Sequence, residues 1–137
     1  MSKVLFMCVA NSARSQMAEG LARSMAPTGT EVYSAGSAPA SLNPFAVRAL
    51  AEVGIDIRDQ HSKGLDDVPT AEIDTVITLC AEEVCPVFPR DVEKLHWPLP
   101  DPAGVEGDDA AVLAAFCAVR DEIASRLRTW FGGEASA

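Results

Sequence analysis

Basic residues are scarce in this chain: 11 lysines and arginines stand against 20 aspartates and glutamates, a formal net charge of -9. That balance argues against a surface built for nucleic acid or an anionic membrane, and any anion site must rest on local groups rather than on the overall field. No apolar run approaches the ~18 residues of a membrane-spanning helix. The opening MSKVLFMCVA is too short for a secretory signal and lacks its cleavage pattern. The expected location is the cytoplasm, where the four cysteines are reduced at rest and serve in catalysis, metal binding or the core rather than as structural disulfides. Histidine is confined to His61 and His96. A zinc site on a cysteine pair would need one of them to converge on it, and no metal is expected. There is no internal repeat, low-complexity tract or linker, so residues 1–137 are expected to form one domain with its own core.

What is present is an alternation of apolar patterns. Val4 to Met7 is a continuous apolar run, as in a strand covered on both faces. Met17, Leu21 and Met25 recur every four residues, and Pro27 and Gly29 stop the helix they imply. Glu31 to Ser34 is a short strand. Asn43-Pro44 starts a second helix, with Asn as cap and Pro in the first turn, whose apolar side is Phe45, Leu50 and Val53 and which Gly54 ends. Ile73 to Leu79 is β-branched and reads as a buried strand. LHWPLPDP is a short extended segment running into a proline-rich loop. From about Asp108, Val112, Phe116, Val119, Ile123, Leu127 and Trp130 step by three or four along one long helix. The pattern predicts an α/β fold with a doubly wound, parallel sheet flanked by helices. Ligands bind such sheets beyond the carboxyl ends of the strands, and Cys8 and Cys80 both stand at such ends. Cys117, beside Phe116 on the apolar side of the last helix, reads as a core residue.

Cys8 to Arg14 has the form C-x5-R, followed by Ser15. The residues between, Val9, Ala10, Asn11, Ser12 and Ala13, are small enough for the backbone to curl. A loop closing onto a helix N-terminus directs N–H groups inward, and the helix dipole adds positive potential. Arg14 supplies a planar fork for two oxygens of a tetrahedral oxyanion. The same groups would activate Cys8 as a nucleophile, and Ser15 could donate to its sulfur. The sequence thus nominates Cys8 as attacking group and Val9, Ala10, Asn11, Ser12, Ala13, Arg14 and Ser15 as the substrate cradle. Cys80 and Cys85, taken alone, could be core thiols, half a metal site or a redox pair.

CVANSARSQMAEG resembles the phosphate loop of the low-molecular-weight tyrosine phosphatase superfamily, and more narrowly the arsenate reductases of that superfamily that draw electrons from thioredoxin. YSAGS, VGIDI, VITLC, CPVFP, HWPLPDP and VRDEI continue the resemblance over nearly the whole chain in the family's order. It implies a four-stranded, flavodoxin-like sheet and reduction of arsenate to arsenite by a cysteine relay. Cys8 would attack arsenate held by the loop, with Asp101 protonating the leaving oxygen. Cys80 would attack the adduct and release arsenite. Cys85 would then move the disulfide to Cys80–Cys85, which reduced thioredoxin would open. No bound cofactor is implied. The expected partners are arsenate, with phosphate or sulfate as analogues, and thioredoxin, acting on a monomer. Relatives that bind potassium beside the loop use an Asn, a Glu, a Ser and an Asp. Asn11, Glu19 and Ser34 match, but Lys63 stands where the carboxylate would be, so its ammonium is expected to replace the cation. Cys80 and Cys85 lie closer together than the equivalent pair in thioredoxin-coupled relatives, which keeps a mycothiol-coupled reductase as an alternative. A phosphotyrosine phosphatase is a second, against which Tyr33 is the only tyrosine. A non-enzymatic oxyanion sensor is a third, and it would not need both Asp101 and a resolving pair.

Overall fold

The computed structural model describes the backbone of residues 2–81 and 87–136 and the side chains as far as residue 132. Four strands, β1 (Lys3–Cys8), β2 (Glu31–Gly36), β3 (Thr75–Thr78) and β4 (Glu93–His96), form an all-parallel sheet in the order β2-β1-β3-β4. Three helices accompany it: α1 (Arg14–Met25), α2 (Pro44–Ala51) and α3 (Asp109–Ser136). This is the expected doubly wound α/β architecture. The chain steps from β1 to one neighbour, β2, and then crosses to the other, β3, so the strand order reverses at β1. Such a switch point opens a crevice at the carboxyl ends of the strands.

β1 is central because its sequence suits burial on both faces. Val4 and Phe6 point into one core with Met17, Leu21, Leu50, Ile77, Phe116, Ile123 and Leu127. Leu5 and Met7 point the other way, into a second core with Ala35, Val68, Ile73, Val76 and Phe88. Each of these four β1 side chains is at most 1% exposed, a burial that stabilises by roughly 1.5–3 kcal/mol per side chain. The first core lies under α1, α2 and α3. The second is closed by two short 3-10 turns, Leu65–Asp67 and Thr70–Glu72, and by the segment carrying Phe88. β4 is an edge strand, and Glu93, Lys94 and His96 on it are exposed, which discourages pairing with another chain.

Several features differ from those expected, beginning with β2, which runs on from Ser34 to Gly36. Regular pairing in the third strand covers only Thr75–Thr78. Ile73 instead closes the preceding 3-10 turn and fills the second core, while Leu79 stays extended and donates its N–H to Met7 O at 3.0 Å. α2 begins as predicted, with Asn43 Oδ1 accepting from Phe45 N at 2.8 Å, but it ends at Ala51. Gly54, at φ +80°, turns the chain there and leaves Val53 exposed instead of on the apolar face. Cys117 is only partly buried, because its sulfur lies against Glu52 Oε1 and Arg120 Nη1, each at 3.4 Å.

Candidate active site

β1 ends at Cys8, which is 3% exposed, and residues 9–13 curl into the first turn of α1. The curl is held from outside. Val9 O accepts from Ala38 N at 2.9 Å, Ala10 O from Ala40 N at 3.0 Å, and Ser12 O from Asn43 N at 2.9 Å. Asn11 O accepts from Ser62 Oγ at 2.6 Å. With four successive carbonyls turned outward, the amide N–H groups between them face the loop interior, the geometry of an anion nest. Ala13 at the N-cap offers no side-chain acceptor, and the first turn of α1 holds no carboxylate. The helix start is therefore left electropositive, as an anion requires.

Two residues make the curl possible. Asn11 sits at φ +49°, a left-handed conformation that Asn tolerates better than most residues. Gly36, at the end of β2, passes so close to the loop that a Cβ there would lie 2.4 Å from Val9 O and 2.9 Å from both Asn11 N and Cys8 O. Only glycine fits, and composition alone does not flag it.

A chain of hydrogen bonds ends at Cys8. Asn11 Oδ1 accepts from Lys63 N and Gln16 Nε2, each at 2.9 Å, which fixes the orientation of the Asn11 amide. Its Nδ2 then donates to Ser15 Oγ at 2.8 Å. Ser15 Oγ, already accepting, has its one proton left for Cys8 Sγ at 2.9 Å. A serine so placed donates to a charged sulfur, and its second lone pair accepts from a neutral thiol.

Arg14 is 4% exposed, and its Nη1 donates to Leu99 O at 2.9 Å and Leu79 O at 3.3 Å. Those two carbonyls belong to the segments following β4 and β3. The guanidinium therefore ties the loop to the chain leading into Cys80 and to the chain leading into Asp101. Cys80 is fully buried, next to Leu79, whose N–H bonds Met7 O. It thus stands beside the start of the loop on the neighbouring strand. Cys80 is disulfide-bonded, whereas Cys8 is free. Cys85 lies outside the described residues. Asp101 is exposed at the rim and caps the turn Pro102–Gly104, its Oδ1 accepting from Ala103 N at 3.0 Å.

Asn11, Glu19, Ser34 and Lys63 do come together. Glu19 is 2% exposed. Lys63 Nζ lies 3.3 Å from Glu19 Oε1, 3.2 Å from Ser34 Oγ and 3.1 Å from His61 O. Ser34 Oγ also donates to Glu19 Oε1, and Arg23 Nη2 meets Glu19 Oε2 at 2.9 Å. Lys63 reaches Asn11 through its backbone N–H, not through its ammonium. Among the described residues no group of His, Cys, Asp and Glu is arranged to hold a metal ion, and no helix is long and apolar enough to cross a membrane.

A family model for the low molecular weight phosphotyrosine protein phosphatases matches residues 3–136. Arsenate reductase from Halalkalibacterium halodurans is 44% identical over 129 residues, 93% of each chain. The chain belongs to this phosphatase family and, within it, to the arsenate reductases. A solved arsenate reductase in a phosphate-binding state superposes with a TM-score of 0.81 at 33% identity, covering 97% of this chain and 98% of that one. The thioredoxin-dependent arsenate reductase of Corynebacterium glutamicum gives 0.74 at 34% identity, covering all of this chain and 64% of that one. The family's fold thus agrees with the sheet order and the loop found here. The residues that sequence reasoning passed over, Gly36, Ser62 and Gln16, are those whose contacts reach the loop from distant segments or from the first turn of α1.

Proposed function

We propose that this reductase converts arsenate to arsenite by a relay of Cys8, Cys80 and Cys85, and that reduced thioredoxin regenerates it. The observation that carries the reading is the placement of Cys8 and Cys80 just at and beyond the carboxyl ends of the paired strands β1 and β3, with Arg14 of the loop bonded to Leu79 O and Leu99 O. Cys8 attacks arsenic(V) in the loop, and an oxygen leaves as water after protonation by Asp101. The inward N–H groups and Arg14 stabilise the charge that develops on the remaining oxygens. Cys80 then attacks the Cys8 sulfur of the adduct. The sulfur–arsenic bond breaks, its electron pair stays on arsenic, and arsenite departs as the Cys8–Cys80 disulfide forms. Cys85 attacks Cys80 and frees Cys8, and the donor dithiol reduces the remaining disulfide by exchange.

The aromatic residues favour a small inorganic oxyanion over a phosphotyrosine ester. Phe6, Phe116 and Phe88 are buried in the two cores. Phe45 packs tilted against Phe116 at 5.6 Å, Trp97 edge-on against Trp130 at 6.1 Å and Trp130 tilted against Phe131 at 5.0 Å. Tyr33 packs against the second core and donates to Glu31. These contacts account for all five Phe, both Trp and the one Tyr of the chain, each packed in a core or against another ring.

The test is arsenate-dependent NADPH oxidation with thioredoxin and thioredoxin reductase, run on the parent and on Cys8→Ser, Cys80→Ser and Cys85→Ser. Each substitution is expected to abolish turnover, and mass spectrometry of Cys85→Ser is expected to trap Cys8–Cys80. Undiminished turnover in Cys85→Ser would remove the relay. A parent that turns over only with a low-molecular-weight thiol would move the donor to the mycothiol type.

A further inference from the structure

Gln16 takes no part in the relay, yet it is fully buried against the loop. Its Nε2 lies 3.0 Å from Asn11 O, 2.9 Å from Asn11 Oδ1 and 2.8 Å from His61 O. Its Oε1 accepts from Gln60 Nε2 at 2.8 Å. An amide nitrogen carries two hydrogens. One goes to His61 O, and the other is shared between the two oxygens of Asn11. The reverse orientation would set Oε1 against carbonyl oxygens, so the network admits one placement of the amide.

We propose that Gln16 is a positioning residue for oxyanion capture. It clamps both oxygens of Asn11, the residue in the left-handed conformation, and joins the loop to the 60–63 segment. That segment supplies Ser62 Oγ to Asn11 O and Lys63 N to Asn11 Oδ1. Gln16 therefore acts at the head of the hydrogen-bond chain that runs through Asn11 Nδ2 and Ser15 to Cys8. Residues 9–13 are too small to hold the curl by their own packing, and the left-handed Asn11 is its least favourable position. An amide that bonds both Asn11 oxygens offsets that cost before the anion arrives, which is preorganisation. This inference rests on the reading of residues 8–14 as the oxyanion loop.

The test compares Gln16→Met, which keeps the size and loses the bonds, with Gln16→Glu, which turns a carboxylate towards three oxygens. Three quantities are read on the full chain: phosphate affinity by calorimetry, kcat/KM for arsenate at saturating thioredoxin, and kcat/KM for thioredoxin at saturating arsenate. Gln16→Met is expected to weaken phosphate binding and lower kcat/KM for arsenate by about tenfold, the loss of one to two hydrogen bonds. Gln16→Glu is expected to lose more, and in both variants kcat/KM for thioredoxin stays within about twofold of the parent. Phosphate affinity and arsenate kcat/KM within twofold of the parent in Gln16→Met would overturn the proposal. So would an equal fall on the arsenate and thioredoxin sides, which marks general loosening of the fold. If Gln16→Glu does not fold, Gln16→Met decides alone. A parent that binds phosphate but does not reduce arsenate would sink the reductase mechanism, while the phosphate titrations would still judge Gln16.

Discussion

Ser15 Oγ stands 2.9 Å from Cys8 Sγ and accepts from Asn11 Nδ2 at 2.8 Å, so its own proton is available to the sulfur when Cys8 carries charge. A hydrogen bond to a group that carries charge during the reaction contributes about 1.5–3 kcal/mol. Ser15→Ala is therefore expected to lower kcat/KM for arsenate by about 10- to 100-fold, with Ser15→Thr recovering part of the loss. Equal activity in Ser15→Ala and the parent would contradict the hydrogen-bond chain.

Gly36→Ala places a methyl group 2.4 Å from Val9 O, a contact that requires a main-chain shift of β2 or the loop. Overpacking against backbone costs about 1–3 kcal/mol. The variant is expected to melt several degrees lower and to lose phosphate affinity together with activity, which thermal denaturation and calorimetry would register.

Lys63 holds its ammonium against the buried Glu19 and Ser34, where the resemblance puts a carboxylate and a potassium ion. Arsenate turnover is expected to be equal in potassium and sodium chloride at matched ionic strength, while Lys63→Asp is expected to become potassium-stimulated. Stimulation of the parent by potassium would refute the substitution. Lys63→Met leaves Glu19 with Arg23 and Ser34 alone and is expected to destabilise by about 1–3 kcal/mol.

The Cys117 thiol is pushed up from its ordinary 9.0 by burial and then by the Glu52 carboxylate it bonds. A raised value in the folded state means that folding favours the neutral thiol. The contribution is complete below the unfolded value and is lost as pH rises past about 9 through the folded one. At pH 7.5 iodoacetamide is expected to label Cys117 slowly, with labelling rising in alkali. Cys117→Ala is expected to retain parental activity within about twofold, since its contacts lie with Glu52 and Arg120.

Much of the fold was legible because its signals are local. The apolar run of β1, the four-residue steps of α1, the Asn43-Pro44 start of α2 and the long periodic pattern of α3 each need only neighbours in sequence to be read. The limits of β3 were less legible, since Ile73 and Leu79 are as β-branched or apolar as the residues between them. Pairing with β1 chose Thr75–Thr78 as the strand. Val53 failed for a related reason: Gly54 turned the chain before a further helical turn could bring it inward.

The candidate site divides in the same way. Residue types and spacing by themselves pointed to a strand-to-helix loop from Cys8 to Arg14 suited to an oxyanion, with a second thiol, Cys80, at another strand end. Side-chain size and the geometry of a helix start suffice for that. Only the tertiary structure decided that Arg14 is held by the carbonyls of Leu79 and Leu99, that the Ser15 hydroxyl bonds the Cys8 sulfur, and that Lys63 reaches Glu19 and Ser34. It alone gave Gly36 and Gln16 their parts. These relations join residues from five to eighty-five positions apart, and hydrogen bonds over such separations depend on the sheet order and the crossing of segments. Local pattern carries no record of either.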